Sequence, residues 1–357
     1  MTDTLNILSE IQLGDIKLKN RALMAPLTRA RAVNHVPTDM MAEYYAQRAG
    51  AGLIIAEATM VMEGNSAFMN EPGIYSQEQI EGWRKVTDAV HANGGKIVLQ
   101  LWHGGRACHP DLNDGKTPVA ASPLAITNDE VHTPNGKKAY TVPRALETNE
   151  IPGIVAGFKQ AAINAKEAGF DGVEVHGANG YLLDNFLRDG TNQRDDQYGG
   201  SIENRARLLF EVLEAVIDVW GSGKVGLRTS PLNSFNSMID SDPVALTTWL
   251  AEHLNQFDLA FWDLMRTDFL GQQSGDVMTP ARKLYKGNLI GNMGYSHEEA
   301  SASIGENQLD AVAFGVPFIA NPDLVERFAA NAELNEADPT TFYMGGAEGY
   351  TDYPTMN

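Results

Sequence analysis

Cysteine is nearly absent from the chain, which has only Cys108 among its 357 residues. One thiol cannot form an internal disulfide, a cysteine-rich zinc site or an iron–sulfur cluster. No apolar run approaches the ~20 residues that a membrane-spanning helix needs. No basic segment followed by an apolar stretch opens the chain either. These absences predict a reduced cytoplasmic protein that has no membrane partner.

Positive charge is also scarce. The chain has 27 Lys and Arg against 46 Asp and Glu, a formal net charge of −19 with His neutral. Such a surface repels the phosphates of nucleic acids and anionic lipids, so neither is an expected partner. A small anionic cofactor is still possible, because a local positive pocket can coexist with a negative surface.

Motifs of several common enzyme classes are missing. The stretch 221–224 lacks the spacing of a phosphate-binding P-loop, and His297-Glu298 has no second histidine at the spacing of a zinc protease. There is no Gly-x-Ser-x-Gly elbow and no Gly-x-Gly-x-x-Gly after the first predicted strand. Any nicotinamide cofactor is therefore expected to bind as a transient substrate.

Short apolar runs alternate with helical patterns along the whole chain. The runs are residues 22–27, 53–59, 96–101, 172–176, 224–229, 259–264, 288–291 and 311–314. Nearly continuous apolar strands are typical of a parallel sheet buried on both faces. The alternation predicts a single α/β domain over residues 1–357, a (β/α)₈ TIM barrel, with an open doubly wound sheet as the alternative. Residues 103–150 lack periodicity and predict an extended loop after strand three.

Several residues mark the expected helix starts. Ser76 and Ser296 are each followed three residues later by Gln or Glu, the capping-box pattern. Asn321 before a proline predicts a further N-cap, and Pro152 predicts the start of a helix over residues 153–168.

The ends of the predicted strands carry polar residues and glycines. Glycines follow the last two strands, where barrels often cradle a phosphate, although glycine also simply ends strands. Arg228 ends a buried strand and needs an anionic or electron-rich partner, which could be an intramolecular carboxylate. Gln100 offers both a donor and an acceptor to a planar heterocycle. Trp102 fits either core packing or the wall of a pocket.

The segment His176-Gly-Ala-Asn179-Gly-Tyr181 follows the fourth predicted strand. A helical turn there would put His176 and Asn179 on one side, where two neutral donors can polarise one oxygen. Tyr181 is then a nearby hydroxyl that can deliver a proton. Alternatively, these three residues are polar side chains of the core or the surface that bind no ligand.

Long segments of the chain resemble one known family almost from end to end. They include "LKNRALMAPLTRARA", "VLQLWHGGR", "PRALETNEIPGIV", "AGFDGVEVHGANGYLLDNFLRDGTNQRDDQYGGSIENRARLL", "AVAFGVPFIANPDL" and "GGAEGYTDYP". The chain resembles the Old Yellow Enzymes of the classical bacterial type, flavin-dependent ene-reductases that include N-ethylmaleimide and nitrate-ester reductases.

The resemblance implies an FMN-binding barrel. The residues implied to line the flavin ring and ribityl chain are Pro26, Thr28, Ala58, Gln100 and Arg228. Those implied to surround the phosphate are Met293, Gly294, Gly315 and Val316. Thr28 would hydrogen-bond near C4=O, and Arg228 would stabilise negative charge near N1 of the reduced ring.

The resemblance also implies a reaction. NADPH or NADH reduces the flavin and leaves, and an activated alkene then enters the same site, a ping-pong mechanism. His176 and Asn179 would hold the carbonyl or nitro group of the alkene, and Tyr181 would donate the proton. The residues implied to shape the pocket are Trp102, Phe68 and Tyr343. Nitrate esters and nitroaromatics are further expected substrates, which would not need Tyr181.

Three positions depart from the family pattern or from one of its branches. Val316 stands where the pattern usually has Arg, so another cation, Arg266 or Lys283, is a candidate to fill the gap. Phe68 stands where several relatives have Tyr, and Thr28 rather than Cys separates the chain from the thermophilic-like branch.

Other questions stay open at the level of sequence. Arg144 in the long loop is either a contact to the NADPH phosphate or an ordinary surface residue. A flavin-binding barrel without turnover and a non-flavin barrel such as a lyase are the alternative functions. The oligomeric state, monomer or homodimer, is also open.

Overall fold

The computed structural model describes residues 5–127 and 129–356. In these residues the strands are β1 (Ile11–Leu13), β2 (Ile16–Leu18), β3 (Ala22–Met24), β4 (Leu53–Met60), β5 (Ile97–Trp102), β6 (Val119–Ala120), β7 (Glu130–Thr133), β8 (Gly136–Ala139), β9 (Arg144–Ala145), β10 (Gly172–Gly177), β11 (Val225–Thr229), β12 (Phe261–Met265), β13 (Leu289–Asn292) and β14 (Ala311–Phe314). The helices are α1 (Asp39–Gln47), α2 (Gln77–Ala92), α3 (Ile151–Glu167), α4 (Leu182–Leu187), α5 (Ile202–Trp220), α6 (Pro243–His253), α7 (Met278–Leu284), α8 (His297–Gly305), α9 (Val316–Ala320) and α10 (Leu324–Ala330). None of these helices is both long and apolar enough to cross a membrane.

A closed parallel barrel forms the centre of the fold. Its strand order is β3-β4-β5-β10-β11-β12-β13-β14, and β14 pairs back onto β3, with Val312 opposite Ala22. Each barrel strand overlaps one of the predicted apolar runs. These strands are apolar because both of their faces are covered, and every residue of Leu53–Met60 is buried. The predicted (β/α)₈ barrel is therefore confirmed, and closure excludes the doubly wound alternative.

A short antiparallel hairpin, β1–β2, seals the amino-terminal end of the barrel. Its side chains Leu13, Ile16 and Leu18 are buried against residues near the strand starts, such as Val98 and Phe261. Strands of three residues are too short to show an alternating pattern, so the sequence gives no sign of this hairpin. Because one end is plugged, a site built from several strands has to lie at the other end.

The predicted loop after the third barrel strand contains short strands of its own. The segment β6 pairs in parallel with β9, and β7 pairs with β8 as an antiparallel hairpin in which Glu130 lies opposite Ala139. The prediction of an extended loop is right about its position. It misses this internal order, because strands of two to four residues carry no periodicity.

The helix starts agree with the sequence at two of the three predicted N-caps. Ser76 forms a complete capping box with Gln79. Ser296 accepts the N–H of Glu299, but the Glu299 carboxylate pairs with Arg266 instead of closing the box.

The prediction that Asn321 begins a helix is wrong. The helix α10 begins at Leu324 with Asp323 at its N-cap. Asn321 is instead the C-cap of α9, and its side-chain amide donates to the carbonyl of Pro317 at 2.9 Å. The sequence shows only a good capping residue before proline, and the same residue type also ends helices.

Candidate active site

The candidate site lies at the carboxyl ends of the barrel strands. Glu174 is opposite Gln100 in the strand register, His176 is opposite Arg228, and Arg228 is opposite Asp263. Because side chains two apart on a strand share one face, Glu174 and His176 lie on the same side of β10. The register therefore gathers polar groups from several strands at one end of the barrel.

The deeper polar groups form a buried network that contains two hydrogen bonds and one ion pair. The Gln100 amide donates to a Glu174 carboxyl oxygen at 2.6 Å. Arg228 has its Nε 3.3 Å from an Asp263 oxygen and donates from Nη2 to Asn292 Oδ1 at 2.8 Å. Arg228 thus has the intramolecular carboxylate that its burial requires, yet its Nη1 group donates to no described residue.

The two acids of this network share one arginine. Burial raises the pKa of Glu174, and the nearby charge of Asp263 raises it further. Burial also raises the pKa of Asp263, although the Arg228 charge lowers it. Since Asp263 has the arginine beside it, Glu174 is the group that keeps its proton near neutral pH. The network then carries one cation and one anion.

The imidazole of His176 has a defined protonation state and tautomer. Burial lowers its pKa to about 3, and the Arg228 charge adds to this effect, so the ring is neutral at neutral pH. The backbone N–H of Ala178 donates to Nδ1 at 3.2 Å. The ring proton therefore sits on Nε2, which is left as a donor because it bonds to no described residue.

An aromatic cluster surrounds Tyr181. Its ring packs edge-on against Trp102 at 5.1 Å and against His176 at 5.2 Å between centroids. Phe68 lies 6.2 Å from Trp102 and stacks on Tyr343 at 6.3 Å. Burial raises the pKa of Tyr181 well above its ordinary value, so its hydroxyl keeps the proton at every physiological pH. The structure brings all five of these predicted residues together.

The chain does not make the helical turn from His176 to Asn179 that would put both residues on one side of a helix. The strand β10 ends at Gly177, and Asn179 has φ of 56°, in the left-handed region. Asparagine tolerates this conformation better than most residues, so the chain bends sharply before α4 instead of turning as a helix. Asn179 is half-buried at this bend, and its Oδ1 accepts a hydrogen bond from the Asn233 amide at 2.8 Å.

The residues predicted to hold a phosphate lie in the loops after β13 and β14. Met293 and Gly294 have successive positive φ angles of 88° and 72°. A β-carbon added at Gly294 would find only an Arg266 nitrogen within 4 Å, and one at Gly315 only a Leu27 methyl group. Each of these positions therefore has only one neighbouring side-chain atom within 4 Å.

Val316 is 51% exposed at the start of α9. Of the two candidate replacement cations, Arg266 lies beside the 293–294 turn and donates to the carbonyls of Met293 at 2.8 Å and Gly294 at 3.0 Å. Its charge is already paired with Glu299. Lys283 is exposed on α7.

Arg144 makes a two-point ion pair with Glu150, with N–O distances of 2.6 and 2.8 Å. The guanidinium group that was a candidate contact to the NADPH phosphate is therefore already paired with a carboxylate.

Comparison with known proteins decides the family. A family model described as the NADH:flavin oxidoreductase / NADH oxidase family matches residues 6–335. The chain belongs to this family. A probable flavin mononucleotide-dependent alkene reductase of Leishmania infantum is 50% identical over 356 residues, which cover 98% of this chain and 97% of the relative. The 12-oxophytodienoate reductase 1 of Oryza sativa subsp. japonica is 42% identical, covering 98% and 93%.

Solved structures of Old Yellow Enzymes agree with the barrel. Morphinone reductase superposes with a TM-score of 0.96 at 46% identity, covering 99% of this chain and 97% of the other. The old yellow enzyme from Trypanosoma cruzi gives a TM-score of 0.96 at 46% identity, covering 99% of both chains. This Old Yellow Enzyme homologue is an FMN-dependent alkene reductase. Morphinone reductase has also been solved in complex with tetrahydroNAD, which agrees with NAD(P)H as the reducing substrate.

The polar groups at the carboxyl ends of this chain's barrel strands fit the FMN ring. The pyrimidine edge of a flavin offers one N–H donor and carbonyl acceptors. Gln100 Oε1 accepts no hydrogen bond from a described residue, and Arg228 Nη1 donates to none, so one acceptor and one cationic donor remain at the same barrel end. Thr28 is half-buried, and Pro26 and Ala58 are buried.

Sequence reasoning missed several residues of this site. Glu174 and Asp263 are single acids inside apolar strands, a visible signal of buried polar contacts. Tyr140 and Ile126 come from the long loop and pack in the same aromatic cluster as Tyr181. The loop shows no periodicity, so nothing in the sequence places these two side chains over the site.

Proposed function

We propose that His176 and Asn179 hold the carbonyl or nitro oxygen of an activated alkene, and that Tyr181 protonates the carbon next to that group. The observation that carries the proposal is the neutral His176 ring with its proton on Nε2. A neutral donor can polarise a substrate oxygen without giving up its proton, which suits a reaction in which another group supplies the acid.

FMN, when bound, supplies the hydride that reaches the β-carbon of the alkene. The protein then has to bind the substrate, polarise it and deliver one proton. Tyr181 suits proton delivery because its hydroxyl stays protonated and its ring is held by Trp102 and His176. Trp102, Phe68 and Tyr343 supply apolar walls that exclude water from the reacting carbons.

The cofactor residues are proposed in the same way. Gln100 and Arg228 would bind the pyrimidine edge of FMN, and Thr28 would donate to or accept from the ring beside Pro26 and Ala58. The backbone around Met293, Gly294, Gly315 and Val316 would hold the phosphate. The sparse surroundings of the two glycines support this part of the proposal.

Properties of the whole chain complete the proposal. The chain acts as a single catalytic domain of the bacterial Old Yellow Enzyme type, as a monomer or homodimer in the cytoplasm. The single cysteine and the net charge of −19 support a reducing compartment and a protein that avoids nucleic acids and anionic membranes. Either NADPH or NADH serves as the reductant.

A phenol titration tests whether His176 and Asn179 together bind the substrate oxygen, an arrangement that we call the clamp. With FMN bound, 4-chlorophenol should bind as its phenolate, with its oxygen on His176 and Asn179, and give a long-wavelength charge-transfer band. The double variant His176→Ala with Asn179→Ala should lose this band while the flavin spectrum stays that of bound FMN.

A matched control removes the same residue types elsewhere. His91→Ala with Asn93→Ala changes two exposed positions at the end of α2 and should leave the titration unaltered. A band that survives in the His176 and Asn179 variant would refute the clamp.

A further inference from the structure

We propose that Asn233 is a positioning residue that fixes the Asn179 amide as a hydrogen-bond donor to the substrate. It acts together with Ser230 and Asn236, which lie with it in the loop after β11. The inference rests on the proposed clamp, because it explains how one of the two clamp residues acquires its orientation.

Three side chains of this loop each take one polar group of Asn179. Ser230 Oγ accepts the backbone N–H of Asn179 at 2.7 Å. Asn233 Nδ2 donates to Asn179 Oδ1 at 2.8 Å, and Asn236 Nδ2 donates to the Asn179 carbonyl at 2.9 Å. The three loop residues are between 0% and 4% exposed, so the contacts lie away from solvent. Of the four polar groups of Asn179, only Nδ2 has no hydrogen-bond partner among the described residues.

The orientation of both amides follows from one backbone group. The N–H of Phe235 points at Asn233 Oδ1, 3.4 Å away, and a backbone N–H can only donate. The oxygen of Asn233 therefore faces its own loop, and its NH₂ group faces Asn179. Asn179 has to present its oxygen to that NH₂ group, which leaves its own NH₂ group as the free donor.

The loop that holds Asn179 is itself anchored. Buried Arg188 donates to the carbonyl of Asn233 at 2.6 Å, and Arg106 donates to the carbonyl of Asn236 at 2.6 Å. A β-carbon at Gly180, where φ is 76°, would lie 2.7 Å from the Asn236 side chain. The close approach needs glycine, so the bend after β10 and this loop fit together as one unit.

The donor orientation matters because the substrate group on the clamp is an oxygen. With NH₂ facing the site, Asn179 and the Nε2 proton of His176 both donate to that oxygen. With the amide reversed, a carbonyl oxygen would face the substrate oxygen and repel it. The loop therefore decides whether the second half of the clamp attracts or repels an enone, a nitroalkene or a phenolate.

The variant Asn233→Asp tests this orientation at nearly constant shape. A carboxylate at position 233 can only accept, so it should draw the NH₂ group of Asn179 toward itself and turn the oxygen to the site. We expect 4-chlorophenol to bind the FMN-loaded variant about 10–150-fold more weakly, the factor that corresponds to one hydrogen bond to a charged group. We expect kcat/KM for an enone to fall in parallel.

A second variant keeps the test valid if Asn233→Asp does not fold. Asn233→Ala removes a neutral hydrogen bond without reversing the amide, so phenolate binding should weaken by only about 2–12-fold. Both losses should disappear when Asn179 is already Ala, because Asn233 acts through that side chain.

The outcomes separate this inference from the proposed function. Equal losses with and without Asn179 would overturn the inference and assign Asn233 a merely structural role. Unchanged phenolate binding in Asn233→Asp, with a clear loss in Asn179→Ala, would also overturn it but leave the clamp intact. If Asn179→Ala itself binds phenolate normally, the clamp fails together with the inference.

Discussion

The tautomer of His176 and the orientation of the Asn179 amide are both set by nearby backbone N–H groups. The N–H of Ala178 fixes the tautomer of His176, and burial keeps that ring neutral. The sequence places His176 and Tyr181 at a strand end, because the apolar run before them is clear. It cannot show which ring nitrogen carries the proton, since that depends on a bend whose left-handed residue, Asn179, is not visible as a pattern.

Val316 leads to a prediction about cofactor affinity. FMN phosphate is dianionic, and the half-exposed Val316 side chain offers it no donor. Val316→Arg should tighten FMN binding by about 10–150-fold, the range for one charge-assisted hydrogen bond. It should also raise the melting temperature in limiting FMN, because ligand binding stabilises the folded state by mass action. Fluorescence titration of the apoprotein measures the affinity.

The control for charge is Val316→Gln, which adds length without a cation and should gain much less. Unchanged or weaker FMN binding in Val316→Arg would show that the phosphate site does not need the missing charge. In that case Arg266→Gln should weaken binding, because Arg266 lies beside the 293–294 turn.

Among the secondary-structure elements, the long buried strands can be predicted from the sequence, and the short strands cannot. Strands β4 and β5 stand out as nearly continuous apolar runs, because both faces of each are covered. The hairpins β1–β2 and β7–β8 stay hidden, because three or four residues cannot establish a period. The misplaced start of α10 has another cause, since Asn321 is a capping residue that serves the end of α9.

Glu57 joins β4 to the elements around it and makes stability depend on pH. One carboxyl oxygen accepts from the Tyr45 hydroxyl of α1 at 3.0 Å, and the other from the N–H of Arg29 at 3.3 Å. Burial raises its pKa from 4.5 to about 7. The folded state therefore holds this proton more tightly than the unfolded state. The contribution is complete below about pH 4.5 and is lost as pH rises through about 7.

Glu57→Gln should remove this dependence. The amide oxygen can still accept from Tyr45, and no charge has to be buried at high pH. Between pH 5 and pH 8 the free energy of unfolding of the variant should improve relative to wild type by about 3 kcal/mol. Urea denaturation with saturating FMN at both pH values measures the difference. Parallel pH profiles for the two proteins would contradict the prediction, and Glu43→Gln on the exposed side of α1 serves as the neutral control.

The whole molecule is a barrel that is plugged at one end, with the candidate site at the other end. The number and order of apolar runs are enough to predict this architecture, and the polar strand ends then locate the site. Contacts between loops cannot be predicted from the sequence, because only the tertiary fold brings residues such as Tyr140 and Asn233 to the candidate site. The barrel can therefore be predicted from the apolar runs of the sequence, but the detailed geometry around His176 and Asn179 cannot.

We propose that the chain separates hydride supply from proton delivery and that Tyr181 serves only proton delivery. Anaerobic stopped-flow spectroscopy of wild type and Tyr181→Phe measures the two half-reactions separately. Flavin reduction by NADPH should be little changed in the variant. Reoxidation by 2-cyclohexenone should slow by about 10²–10⁴, the usual cost of losing a general acid. Reoxidation by a nitrate ester, which does not need this proton donor, should stay near the wild-type rate. Equal slowing of both half-reactions, or an enone rate that does not change, would contradict the assignment of Tyr181.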